Sequence, residues 1–178
     1  MGWSGQSGAA RYFFGTIIDK LLVNCPQTIM ALNLTTKIVK FRKICVLMPR
    51  NADHELGFHA WMQLLLTLHR NTSGELLFLA DKDTLKGVMR IRETMSLPEK
   101  NFRVLSHEPI MKTLAGELNE NDLLVVISAR PNAVSHNRQL ALMPRVVSRY
   151  FSHTNSMILY PEQMDIHPNN LGVTFGGV

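Results

Sequence analysis

Four residues near the start of the chain have the types and spacing to hold a phosphate: Gly2, Gly5, Gly15 and Thr16, spaced G-x2-G-x9-G-[ST]. Glycines let backbone N–H groups come close to an anion, and a helix beginning after such a loop turns its positive end toward negative charge. The other chemically capable side chains form weaker constellations. His54 and His59 flank Glu55 near Asp53, but five-residue spacing does not put two imidazoles on one helical face as a metal site needs, so Asp53 is expected to cap a helix that carries His59 on its surface. Cys25 precedes Pro26 and reads as a helix end, and Cys45 lies in an apolar run and reads as a small buried hydrophobe. Arg130, between Ser128 and Ser135, has the means to meet an anion but is expected to be an exposed loop arginine. Order alone sets up no Ser-His-Asp or Cys-His arrangement, and nothing in the chain argues for catalysis.

The elements that must position these residues follow from periodicity. Ala10, Phe13, Phe14, Ile17, Ile18, Leu21 and Leu22 recur at helical spacing until Pro26, and Thr28 to Leu32 reads as a short strand. After a polar linker a second series begins. Strands are expected at Lys43–Met48, Glu75–Ala80, Phe102–Leu105, Asp122–Ile127 and Ser156–Tyr160. Helices are expected at Glu55–Arg70, from an Asp83 cap to Met95, at Pro109–Leu118, and within Ala133–Phe151 with Pro144 as a kink. Near-continuous apolar strands alternating with amphipathic helices predict an α/β fold, a doubly wound five-stranded parallel sheet in a Rossmann-like three-layer arrangement. Three segments result: residues 1–38 end in a helix and strand, residues 39–162 form a complete α/β domain, and residues 163–178 read as a loose tail.

The glycine signature, followed by helix, proline and terminal strand, resembles the nucleotide-binding end of the universal stress protein family, whose domain is adenine-nucleotide α-hydrolase-like. Residues 1–38 then correspond to the phosphate loop, last helix and last strand of a truncated first repeat, and residues 39–162 to a full second repeat. Carried over residue by residue, Gly2, Gly5, Gly15 and Thr16 would hold the phosphates of ATP or AMP, with Ser4 and Ser7 adding hydroxyls. The second repeat departs from the family pattern. Its first strand ends Met48-Pro49-Arg50-Asn51 where an aspartate is expected, and its fourth is followed by Ser128-Ala129-Arg130-Pro131-Asn132 with no glycine, so this site is expected to be degenerate. In family dimers the last strands pair across the interface, which would place the Thr28–Leu32 strand beside Ser156–Tyr160.

On that resemblance Met1 stands where the family closes its fourth strand, so the chain is expected to be an internal fragment of a longer protein or the product of a misassigned reading frame. Tandem repeats of this family occur in the cytoplasmic C-terminal region of bacterial cation/proton antiporters. The resemblance therefore implies a non-catalytic regulatory domain of a sodium/proton antiporter that senses a nucleotide at the cytoplasmic face of the inner membrane. Its partners would be the membrane transporter domain of the same polypeptide, and a homodimer mate or the rest of the first repeat. The alternatives are a free-standing ATP-binding stress protein and a dimerisation module without ligand.

Composition fits these classes. With 46% apolar residues in 178, the chain can bury a core. Its net charge of +5 is spread over scattered basic residues rather than a block, which argues against a nucleic-acid or lipid surface. Two cysteines without metal spacing point to a reducing compartment and no metal.

Overall fold

The computed structural model describes residues 18–35, 41–97, 101–105 and 109–163. Six strands form one sheet in the order β1-β6-β5-β2-β3-β4. These are β1 (Ile29–Asn33), β2 (Lys43–Leu47), β3 (Glu75–Ala80), β4 (Phe102–Val104), β5 (Leu123–Ile127) and β6 (Asn155–Tyr160). Strands β2 to β6 are mutually parallel, and β1 lies antiparallel on β6 with Ala31 opposite Ile158. The sheet is thus mixed and six-stranded rather than five-stranded and parallel, because the strand expected at Thr28–Leu32 joins the edge of the domain that follows it. Its position beside β6 is the one anticipated.

The helices are α1 (described over residues 18–24), α2 (Phe58–Thr72), α3 (Lys82–Arg90), the short α4 (Arg92–Met95), α5 (Ile110–Glu117) and α6 (Arg138–Tyr150). Strand side chains alternate between two cores, as a two-residue period requires. On one face Ile44, Val46, Phe78, Val125 and Leu159 pack under Phe58, Trp61, Met62 and Leu65 of α2 and Leu85 and Val88 of α3. On the other Cys45, Leu47, Leu79, Val126 and Ile158 meet Leu114 of α5, Val147 of α6, and Ile18, Leu21 and Leu22 of α1. The architecture is α/β, a layered arrangement compatible with a Rossmann-like fold. Among the described residues no helix is long and apolar enough to cross a membrane.

Two helix starts differ from expectation. Asp53 does not cap α2: it lies in a 3-10 turn (Ala52–His54), while α2 begins after Gly57 without a side-chain cap. The Asp53 carboxylate instead packs where a Cβ on Gly87 of α3 would stand, and His54 Nδ1 lies 3.1 Å from it. His59 is exposed on α2, as expected. The cap of α3 is Asp81 rather than Asp83, its carboxylate accepting from the amides of Asp83 and Thr84 and from the Thr84 hydroxyl at 2.6 Å.

Candidate functional site

In an open α/β sheet, ligands gather outside the carboxyl ends of the strands where strand order reverses. Here that place lies between β2 and β5. The loop after β5 is the one expected to carry a degenerate phosphate site, and four of its amides are already engaged. Ser128 N–H donates to Leu159 C=O at 2.8 Å, Ala133 N–H to Arg130 C=O at 3.1 Å, and His136 N–H to Ala133 C=O at 3.0 Å. Ser135 N–H donates to the buried Glu55 carboxylate at 2.8 Å, tying this loop to the one after β2. Pro131 has no amide to offer. The loop after β2 turns through Asn51 at φ 65°, and its amide donates to Thr84 Oγ1 at 3.0 Å. These loops brace one another, and the amides just named are not directed at a ligand.

Arg130 overturns its expected exposure. It is only 2% exposed, and burial draws its pKa down from the ordinary value. Its guanidinium donates to Pro161 C=O from Nε and to Leu22 C=O from Nη1, both at 3.1 Å, and further to Cys25 C=O and Gln27 C=O. Leu22 and Cys25 lie at the carboxyl end of α1, where unpaired carbonyls concentrate negative charge that a cation offsets. The fork therefore binds α1 and the approach to β1 onto the end of β6. Arg130 serves as a clasp and is not available to an anion.

A second buried polar residue holds the other end of β1. Asn155, wholly buried, accepts from the Thr35 amide at 3.0 Å and donates through Nδ2 to Glu120 C=O at 3.3 Å and Asp122 C=O at 3.4 Å. Between these clasps β1 is unevenly covered. Ile29 and Ala31 are buried under α1, whereas Met30 and Leu32 on the opposite face are half-buried. They form one wall of an open groove of about 460 Å³, with Phe41, Leu123 and Met157 as floor and Leu64 and Leu68 of α2 as the other wall.

The phosphate-binding candidates Gly2, Gly5, Gly15 and Thr16 lie outside the described residues. Cys45 is buried in β2, and burial pushes its thiol up to about 12; Cys25 is half-buried, its Sγ 3.0 Å from Gln27 Oε1. Among the described residues no group of three or more His, Cys, Asp or Glu side chains is placed to hold a metal. The clasping roles of Arg130 and Asn155 were not foreseen. No local signal marked either residue, since their partners lie 31 to 120 residues away along the chain.

No family profile matches the chain, and no curated protein matches it.

Proposed function

We propose that the chain is a non-catalytic regulatory domain of the universal stress protein type, belonging to the cytoplasmic region of a bacterial sodium/proton antiporter. The observation that carries this reading is the antiparallel seat of β1 on β6. It is the pairing expected where the last strands of two repeats meet, reached here within one chain. Since β6 has β5 on one edge and β1 on the other, the natural partner is the remainder of a first repeat rather than a homodimer mate joined through β6.

The braced loops after β2 and β5 leave nucleotide sensing to Gly2, Gly5, Gly15 and Thr16. A nucleotide held there would act by linkage, favouring whichever arrangement of the paired repeats binds it better. The test is a thermal melt of the full chain with ATP or AMP at millimolar concentration. Occupancy at a hundred times Kd adds about 2.7 kcal/mol. For a domain of this size that raises Tm by roughly 5–10 °C, and the gain is expected to vanish in Gly15→Val. An unchanged Tm with both nucleotides removes the sensing role. ATP hydrolysis that disappears in Gly2→Ala would replace this reading with a free-standing, ATP-using stress protein.

A further inference from the structure

The thirteen residues of α6 include three arginines and neither Asp nor Glu. Met143 and Val147 are buried against the sheet, while Leu142, Arg145 and Arg149 are exposed on the opposite side of the helix. Positions i, i+3 and i+7 return to one line of an α-helix, so the leucine and the two cations share a face. Arginines four residues apart form no block in sequence, and the helix turns them onto one line. The last turn ends in Tyr150, which is 63% exposed, with the Arg149 guanidinium carbon 5.5 Å from the centre of its ring.

The helices beside α6 extend this character. On the same face of the sheet, α1 carries Val23, 81% exposed, and both α1 and α5 carry an exposed lysine, Lys20 and Lys112. Among the described residues of these three helices Asp19 is the exposed acid. Glu117 is half-buried and paired with Lys43 at 3.0 Å and with Arg103. Cations alone would suit any polyanion. The exposed apolar side chains between them select among polyanions: a nucleic-acid backbone takes charge and hydrogen bonds and has no use for Leu142, 54% exposed, or Val23. The boundary of an anionic bilayer takes both, its headgroups meeting guanidinium groups and its acyl carbons meeting aliphatic ones, with tyrosine at the headgroup level.

We propose that the outer face of α6 seats this domain on an anionic bilayer. Arg145 and Arg149 meet the lipid phosphates and carboxylates, and Leu142 and Tyr150 enter the headgroup boundary. With so few cations and so little apolar area the contact is weak and reversible. The face stands apart from the glycine signature and from the antiporter assignment, so a failed nucleotide melt leaves it untouched.

The test is sedimentation of the full chain with vesicles of phosphatidylcholine, alone or mixed with phosphatidylserine, at low salt. Binding is expected with the mixed vesicles only, and it should weaken as salt is raised. Arg145→Gln with Arg149→Gln is expected to lower the partition coefficient roughly thirtyfold. Both side chains are exposed, so the variant should keep the parent's melting temperature. Lys82→Gln with Arg90→Gln removes the same charge from α3, on the other face of the sheet, and is expected to bind nearly as the parent does. An environment-sensitive fluorophore on Leu142→Cys, in a Cys25→Ser background, should shift to shorter wavelength on the mixed vesicles. Absence of sedimentation with the mixed vesicles would overturn the proposal. Equal losses from the two double variants would do so too, by reducing the effect to net charge. An unshifted fluorophore on bound protein would also overturn it, since purely electrostatic contact makes no use of Leu142. Binding of a short RNA duplex without binding of vesicles would assign the face to nucleic acid instead.

Discussion

Arg130 illustrates how much a buried cation depends on the carbonyls around it. Among the described residues no carboxylate accepts from it; four main-chain oxygens from the end of α1, the approach to β1 and the end of β6 take that role. Hydrogen bonds to a charged donor contribute about 1.5–3 kcal/mol each, and stranding the acceptors is costly. Arg130→Met should therefore lower unfolding stability by on the order of 3 kcal/mol. Hydrogen exchange should show the loss first in α1 and β1 and last in β2 and β5. Uniform loss across the sheet would mean that the clasp holds the whole core rather than the junction. None of this was legible from sequence. The acceptors lie 103 to 108 residues upstream or 31 downstream, so only the folded topology brings them to the guanidinium.

At the scale of elements, the strands were the most legible feature. All but β4, which is interrupted by Arg103, rest on a continuous apolar run, and those within Lys43–Leu47 and Leu123–Ile127 fall at the centre of the sheet, where burial on both faces leaves no alternation to misread. Helix starts were less so, because a cap depends on which of several neighbouring acids the backbone turns toward. The sequence reading places the cap at Asp83, whereas the extended ψ of 162° at Asp81 makes Asp81 the cap. Burial alone would raise the Asp81 pKa, but the hydrogen bonds from the Thr84 hydroxyl and the Thr84 and Asp83 amides outweigh it and hold the carboxyl below its ordinary value. A depressed folded pKa gives stability that is present above the unfolded value of 3.8 and lost as pH falls through the folded one. Asp81→Ala should cost about 0.5–2 kcal/mol at neutral pH. Its deficit relative to the parent should shrink as the pH is lowered through the acid range, followed by urea denaturation. A deficit independent of pH would assign the effect to packing rather than to the charged cap. The groove was not legible at all, since it depends on which face of β1 the helices leave uncovered.

For the molecule as a whole, the two cysteines report on different depths of the same fold. Cys25 is half-buried beside the Arg130 clasp, and Cys45 lies in β2 at the centre of the sheet with its thiol pushed up to about 12. At pH 8 an alkylating reagent should modify Cys25 readily and Cys45 only at the rate of global unfolding. In Arg130→Met, Cys25 labelling should quicken several-fold while Cys45 stays slow. Equal acceleration of both would show that junction and core open as one unit.

The antiparallel seat of β1 also sets how this fold would answer a mechanical load. The approach to β1 and the exit from β6 meet at one end of the sheet, where Gln163 bonds Pro26. A pull through the two flanking stretches of chain would open the β1–β6 ladder like a zipper, one bond at a time from that end, rather than loading every rung in shear. The Arg130 contacts stand at the first tooth, so they would set the force at which the strand begins to peel.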